Sequence, residues 1–226
     1  PTSSEGTADI AVGDFYCTTE SNKTIILPRN AAGIPTGLTC KGIVFHIIDD
    51  FETFKSTNDL NDSNLNGYQE KHGLVVSTKK GNNFGTVAAA DIEQAFIDGN
   101  VEKYTDTETS NGYKLTQILV GTENLGFIAL NNHTEKLNNS TAWYAPSFNE
   151  LKYLIQGENT QTGSTSGQEY INKQLKKINA DELAGTIPSV TFYNGVGDHG
   201  LRLMTGGSEN GWHGIPGEAF YPICAF

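Results

Sequence analysis

A polar stretch before residue 70 has the spacing of a calcium-binding loop. Its candidate ligands are Asp62, Asn64, Asn66 and Glu70. The first three alternate along the chain ahead of Gly67, so their oxygens could surround a hard cation while the glycine makes the sharp turn. Gly73 occupies the position where such loops carry a bidentate Glu. The pattern therefore predicts either a weak site with calcium as the cofactor, or an Asx-turn loop that binds no cofactor.

A second group of chemically active residues lies in the glycine-rich segment before the C terminus. Aromatic faces stack on sugar rings or anchor protein contacts, and Asn, Asp and Arg side chains hydrogen-bond to hydroxyl groups. We predict a ligand-binding surface formed by Tyr193, Asn194, Asp198, His199, Arg202, Asn210, Trp212 and His213. The alternative is that the aromatic residues belong to the core beside a closing strand.

The patterns of common enzymes are missing from the sequence. The five histidines lack H-x-x-x-H and H-E-x-x-H spacing, and the Gly/Ser segments around Ser164 and Ser208 do not form a nucleophile elbow between a strand and a helix. Acidic pairs such as Asp49 and Asp50 would serve a glycosidase only at a suitable separation in space. We therefore expect a binding protein, with a hydrolase or modifying enzyme as an alternative.

Composition and charge limit the possible partners and the cellular location of the chain. The net charge of −11 repels phosphate backbones and anionic lipids, which argues against nucleic acid as a partner. No apolar run approaches the ~20 residues needed to cross a bilayer, so we expect no membrane insertion by this segment. Only 18% of the residues are charged, while neutral polar residues are abundant. This balance is typical of extracellular domains and predicts an extracytoplasmic location.

The three cysteines, Cys17, Cys40 and Cys224, show no metal-binding spacing. They fit either one disulfide with a free thiol or three small apolar residues packed in the core. The apolar sequence around Cys40 and Cys224 favours the second interpretation.

Hydrophobic patterning indicates a mixed chain. Strands are predicted over residues 10–17, 24–27, 41–48 and 73–78 and in the C-terminal part, and helices over residues 87–97, 147–155 and 169–178. Residues 112–119 and 124–131 fit a helix or irregular structure. Ser147 and Glu150 have the spacing of a helix-capping box. Strands at both ends predict an α+β fold in which small antiparallel sheets join the termini, with two or more helices and long irregular loops. We expect a loose tether at residues 1–8 and a single domain at residues 9–226.

Four segments resemble one family. They are IAVGDFY at residues 10–16, CKGIVF at 40–45, WYAPSFNELKYL at 143–154 and YPICAF at 221–226. Together they resemble the DUF1566-like family, also called the Fibrobacter succinogenes major paralogous domain, of Bacteroides-type surface proteins. The chain departs from that pattern at Ala145, at Tyr221 and in the short strand at residues 191–194.

The resemblance implies a C-type-lectin-like fold. It also implies a cell-surface lipoprotein or fimbria-associated module in cell adhesion, which binds a glycan or a surface protein. A fimbrial or pilus-tip component that contacts other fimbrial subunits is the alternative. The start at Pro1 is typical of processing or of a domain cut from a longer protein. We therefore expect an outer-membrane anchor through a removed N-terminal segment.

Overall fold

The computed structural model describes residues 9–61, 65–123, 125–195, 198–210 and 217–226. These ranges contain two antiparallel sheets and five helices. The strands are β1 (Phe15–Thr19), β2 (Thr24–Leu27), β3 (Leu38–Ile48), β4 (His72–Ser77), β5 (Thr186–Gly195), β6 (Asp198–Thr205), β7 (Ser208–Asn210) and β8 (Ile223–Ala225). The helices are α1 (Phe51–Thr57), α2 (Ala89–Asp98), α3 (Gly112–Gly121), α4 (Phe148–Gln156) and α5 (Ser166–Lys177). The α+β class is confirmed, while the C-type-lectin-like part stays a prediction.

The larger sheet has the strand order β2-β1-β3-β4-β8. The first and last strands thus share one sheet, as predicted, although β8 pairs with β4 and not with β1. Phe15 and Cys17 face one side of the sheet and Tyr16 the other, and all three are fully buried. Both faces are therefore covered, which is why the central strand β3 is a nearly continuous apolar run.

Helices cover one face of this sheet. Leu151 and Leu154 of α4 and Ile171 and Leu175 of α5 pack in the same cluster as the β1 side chains. The other face packs against Trp143 in a separate cluster. Alternating side chains thus place the two helices and the tryptophan on opposite sides of the sheet.

The smaller sheet has the order β5-β6-β7 and forms a second core with α2 and α3. Phe96 of α2 and Leu115 of α3 pack against Phe192 and Leu201 of the sheet. All four side chains are fully buried, so this half of the molecule has its own apolar centre.

The capping box of α4 is confirmed, and it is part of a larger buried arrangement. The Ser147 side chain accepts a hydrogen bond from the Glu150 N–H, and the Glu150 carboxylate accepts one from the Ser147 N–H at 2.7 Å. The same carboxylate accepts the Tyr144 hydroxyl at 3.0 Å, and the nearby N–H of Gly112, the first residue of α3, favours its charged form. One buried carboxyl group therefore serves the first turns of two helices.

The structure differs from the predicted elements in two places. Residues 10–14 are not a strand, because Gly13 has φ +94° and turns the chain while the ring of Tyr170 packs against it. The polar stretch after residue 48 contains the unpredicted helix α1, which buries only Phe54 and thus lacks an apolar face. The segment at residues 112–119 is helical, whereas residues 125–131 are irregular.

The outcomes of three further sequence expectations concern the cysteines, membrane insertion and the N-terminal tether. All three cysteines are reduced in this structure; Cys17 and Cys224 are buried, and Cys40 is half-buried. Among the helices of the described ranges, none is long and apolar enough to cross a membrane. The predicted tether at residues 1–8 lies outside the described residues.

Candidate functional site

A cleft lies where the end of β3, the helices α1 and α4 and the loop at residues 103–110 come together. It consists of two adjoining pockets of about 360 Å³ and about 330 Å³, within the size range of small-molecule sites. The first, the aromatic lobe, is lined by His46, Asp49, Phe54, Asn149 and Tyr153 among others. The second, the amide lobe, is lined by Ser56, Asn100, Val101, Asn111 and Lys114 among others. Both lobes share Thr57, Lys103 and Thr109.

Asn58 holds the walls of the cleft together from inside. Its side-chain amide donates hydrogen bonds to the Phe54 carbonyl at 3.1 Å and the Ser110 carbonyl at 2.8 Å. Its Oδ1 accepts the Lys114 N–H at 3.2 Å. Because Asn58 is only 1% exposed, these bonds connect α1, the 103–110 loop and α3 in a dry environment.

A stacked pair of rings forms the wall of the aromatic lobe. The His46 imidazole lies parallel to the Tyr153 ring at a centroid distance of 3.9 Å. The His46 Nδ1 is 3.1 Å and 3.2 Å from the two carboxylate oxygens of Glu158, which fixes the orientation of the ring. The conformation of this wall is thus already fixed in the absence of a ligand.

The acidic groups at the start of α1 have different roles. Asp50 caps the helix, because its carboxylate accepts the Thr53 N–H at 3.0 Å and the Thr53 hydroxyl at 2.7 Å. These bonds hold the pKa of Asp50 below its usual value, so the group stays ionised and engaged. Asp49 is exposed and has no hydrogen-bond or ion-pair partner among the described residues. Its carboxylate is the one available to a ligand.

Asn111 lines the amide lobe and has a side-chain oxygen that is sealed from solvent. It is the N-cap residue of α3, but its side chain does not cap the helix. Its amide nitrogen donates to the Lys103 carbonyl at 2.9 Å, while its Oδ1 has no hydrogen-bond partner in the described part of the chain. The residue is only 2% exposed and this oxygen is closed off from solvent, so the unpaired acceptor costs free energy and a ligand in the lobe does not reach it unless the wall moves.

The free groups of the cleft complement polyhydroxylated molecules. The carboxylate of Asp49 can accept hydrogen bonds, and the exposed Lys103, which forms no ion pair within the described ranges, can donate them. A sugar hydroxyl both donates and accepts, and the apolar face of a sugar ring packs on aromatic side chains such as Tyr153. The arrangement can therefore hold a saccharide without a charged group on the ligand.

The structure brings half of the predicted C-terminal surface together on the β5–β6 hairpin. Asn194 and His199 are directly opposite each other in the register. Both approach Glu93 of α2: the Asn194 amide donates to the Glu93 carboxylate at 2.9 Å, and His199 Nδ1 lies 3.8 Å from it. The guanidinium of Arg202 lies 4.9 Å from the centre of the Tyr193 ring.

Arg202 is engaged inside the hairpin sheet. It pairs with Glu209 of β7, and burial lowers its pKa from the usual value. Asn210 ends β7, where it is exposed and pairs in register with Leu203. Asp198 opens β6 opposite Gly195. Trp212 and His213 lie outside the described residues, so the aromatic part of this predicted surface stays a prediction.

The predicted calcium loop is described only in its second half. Asp62 and Asn64 lie outside the described residues. The backbone N–H of the exposed Asn66 donates to the Asn139 side chain at 2.8 Å. Glu70 is exposed at φ +64° in a tight turn closed by the backbone of Tyr68 and Lys71. No group of three or more His, Cys, Asp or Glu side chains within the described ranges could hold a metal ion, and calcium binding stays a prediction.

Sequence reasoning missed both the cleft and Glu93. Asp49, Lys103 and Asn111 come from separate segments that only the fold brings together. One local signal was available: Asp50 followed by Glu52 in the first turn is typical of a helix start and would have located α1.

Comparisons with known proteins agree with the fold. No protein-family model matches the sequence, and no curated protein matches it. The structure is similar to the crystal structure of a fimbrial protein from Bacteroides ovatus, with a TM-score of 0.60 and 18% sequence identity. The match covers 96% of this chain and 48% of the fimbrial protein, so the chain spans about half of that protein's length. At this identity the likeness shows a shared fold, and the DUF1566-like resemblance stays a prediction.

Proposed function

We propose that this chain is an extracellular module of a fimbria-type bacterial surface protein and that it binds a glycan in the cleft. The fold shared with a fimbrial protein supports the surface setting. The low content of charged residues is consistent with an extracellular location. The module binds and does not catalyse, and an anchor in the outer membrane belongs to the same proposal.

One observation carries the glycan assignment. The exposed side chains of Asp49 and Lys103 line the cleft, and neither forms an ion pair within the described ranges. A carboxylate and an ammonium group placed in this way can accept from and donate to the hydroxyl groups of a sugar. In the aromatic lobe, the Tyr153 ring offers a stacking surface beside the Asp49 carboxylate. Two lobes that share one wall fit two linked sugar rings.

A contact with other fimbrial subunits or a surface protein is the second candidate. The observation that favours it is the polar group formed by Glu93, Asn194 and His199 on the β5–β6 hairpin. The group is on the surface of the second core, and it is not part of the cleft. A protein partner would use this hairpin while the cleft holds a glycan.

The experiment is a glycan array with the purified chain, followed by isothermal titration with the best oligosaccharide. Both steps are run in calcium and in EDTA, which also tests the predicted calcium loop. Asp49→Ala and Lys103→Ala are expected to weaken binding about 10- to 100-fold, because each removes a hydrogen bond to a charged group. Glu20→Ala and Lys23→Ala remove the same charges from exposed positions outside the cleft and should leave the affinity unchanged.

The results separate the two candidates. Glycan binding that survives both cleft variants would place the sugar elsewhere and refute the cleft assignment. An array without any bound glycan, together with subunit binding that is lost in Asn194→Ala, would support the protein-contact role instead.

A further inference from the structure

Cys17 and Cys40 face each other across two neighbouring strands. They are Cα partners in the antiparallel register of β1 and β3, next to an irregularity between Tyr16 and Cys17. Residues directly opposite in an antiparallel pair have Cα atoms roughly 4.5–5.5 Å apart and side chains on the same face. This separation is inside the range of disulfides, roughly 4.4–6.8 Å.

The two side chains share one apolar layer. Cys17 is fully buried in the cluster between the larger sheet and its helices, and the half-buried Cys40 packs against that cluster. The neighbouring Cys17 thiol and burial both raise the pKa of the Cys40 thiol. Cys40 also lines a surface groove of about 800 Å³ beside Thr39 and Lys79, so it is open to a reagent from solvent.

The third cysteine is outside this arrangement. Cys224 lies in β8 opposite Val75, and it packs in the cluster on the other face of the sheet. It is fully buried, and burial raises the pKa of its thiol. The fold therefore selects one pair from the three possible pairings.

We propose that Cys17 and Cys40 form an intramolecular disulfide in the exported protein. A protein disulfide or a small-molecule disulfide accepts the two electrons. One cysteine thiolate attacks it to form a mixed disulfide and releases one thiol, and the second cysteine displaces the other half of the oxidant, so the two electrons and the two protons end on two thiol groups derived from the oxidant. The disulfide proposal rests on the extracellular location in the proposed function, because disulfides persist in oxidising compartments.

The bond would secure an edge of the larger sheet. It encloses residues 18–39, which include the edge strand β2, and β2 pairs only with β1 in that sheet. Closing this loop lowers the conformational entropy of the unfolded chain, and it joins the β1–β2 hairpin covalently to the central strand β3. Because the raised pKa of Cys40 slows exchange in the folded protein, the bond is expected to form during folding.

The test is oxidative refolding of the full chain from urea in a glutathione buffer, with no ligand added. The refolded protein is alkylated in denaturant and mapped by mass spectrometry without reduction. We expect a monomer lighter by two hydrogen atoms than the reduced chain, a peptide pair that joins Cys17 to Cys40, and alkylation at Cys224 alone. Reduction should lower the melting temperature by roughly 5–10 °C in the wild type and in Cys224→Ala. It should cause no change in Cys40→Ala.

Three outcomes would overturn the inference. They are alkylation of all three cysteines after oxidative refolding, a peptide pair that contains Cys224, and a disulfide-linked dimer in place of the monomer. The mass readout does not require the variants to fold, and none of these outcomes affects the glycan proposal.

Discussion

Replacing Glu150 by Gln is expected to remove a pH-dependent part of the stability of this protein. Glu150 is fully buried, and its two oxygens accept the Tyr144 hydroxyl at 3.0 Å and the Ser147 N–H at 2.7 Å. Loss of hydration disfavours the charged carboxylate, whereas these hydrogen bonds favour it. Burial is the larger effect and raises the pKa of Glu150 from 4.5 to about 7.

The sign follows from proton binding. In the unfolded chain this carboxyl loses its proton near its ordinary pKa of 4.5, while in the folded protein it keeps the proton until about pH 7. Between these values the folded protein binds more protons, so the free energy of unfolding falls as the pH rises through this window and levels off above it. The shift from 4.5 to about 7 corresponds to about 3 kcal/mol.

The assay is urea unfolding at constant ionic strength, followed by circular dichroism from pH 4.5 to pH 8. We compare wild type with E150Q, which has no proton to lose, and with E52Q, whose parent side chain is 82% exposed. The stability advantage of wild type over E150Q should shrink by about 3 kcal/mol across the range. The difference between wild type and E52Q should not follow this course.

The difference in free energy of unfolding between wild type and E150Q isolates the contribution of Glu150 from those of other titrating groups. Burial lowers the pKa of His72 and of His133, so their contributions are lost as the pH falls and oppose that of Glu150 in the raw curves. A difference between wild type and E150Q that stays constant with pH would refute the raised pKa. A difference that grows with pH would show that the hydrogen bonds outweigh the loss of hydration.

Other substitutions test the packing around the site. Gly112→Ala should destabilise the protein by about 3 kcal/mol or more in thermal unfolding, because its Cβ would lie 2.3 Å from the Glu150 carboxylate. Gly121→Ala in the same helix meets no atom within 4 Å and should be neutral or slightly stabilising. His133→Gln should reduce the loss of stability below pH 6.5 in urea titrations, since the buried histidine resists protonation. Asn58→Ala should cost roughly 2–4 kcal/mol in urea unfolding, because it leaves partners from α1, α3 and the 103–110 loop unpaired.

Features written in short stretches of sequence were predicted well. The capping box of α4 needs only Ser147 and Glu150 at the correct spacing, and the structure contains it. The strand over residues 41–48 was evident because a strand covered on both faces is apolar at nearly every position. Helix α1 was missed because it is short and buries a single residue, so its periodicity gives no signal.

Features that depend on distant contacts were not predicted. The cleft joins Asp49 to Asn111, and the hairpin residue Asn194 meets Glu93 about one hundred positions earlier in the chain. Nothing in the local sequence marks such partners. Polar residues in a loop have the same appearance whether they face solvent or complete a pocket, and only the packing of the two cores decides between these outcomes.

The buried carboxyl of Glu150 links these two levels of organisation. It accepts the Ser147 N–H at the start of α4 and lies beside the Gly112 N–H at the start of α3, and these helices carry cleft residues at their starts, Asn111 before α3 and Asn149 in α4. A local capping motif therefore also connects the starts of two helices, each of which places one residue in a lobe of the cleft. Because one carboxylate serves both helix ends, the cleft geometry depends on a group that does not line it. If the proposed glycan site is correct, a change at Glu150 would thus alter binding by shifting the cleft walls, whereas changes at Asp49 or Lys103 would remove contacts and leave the walls in place.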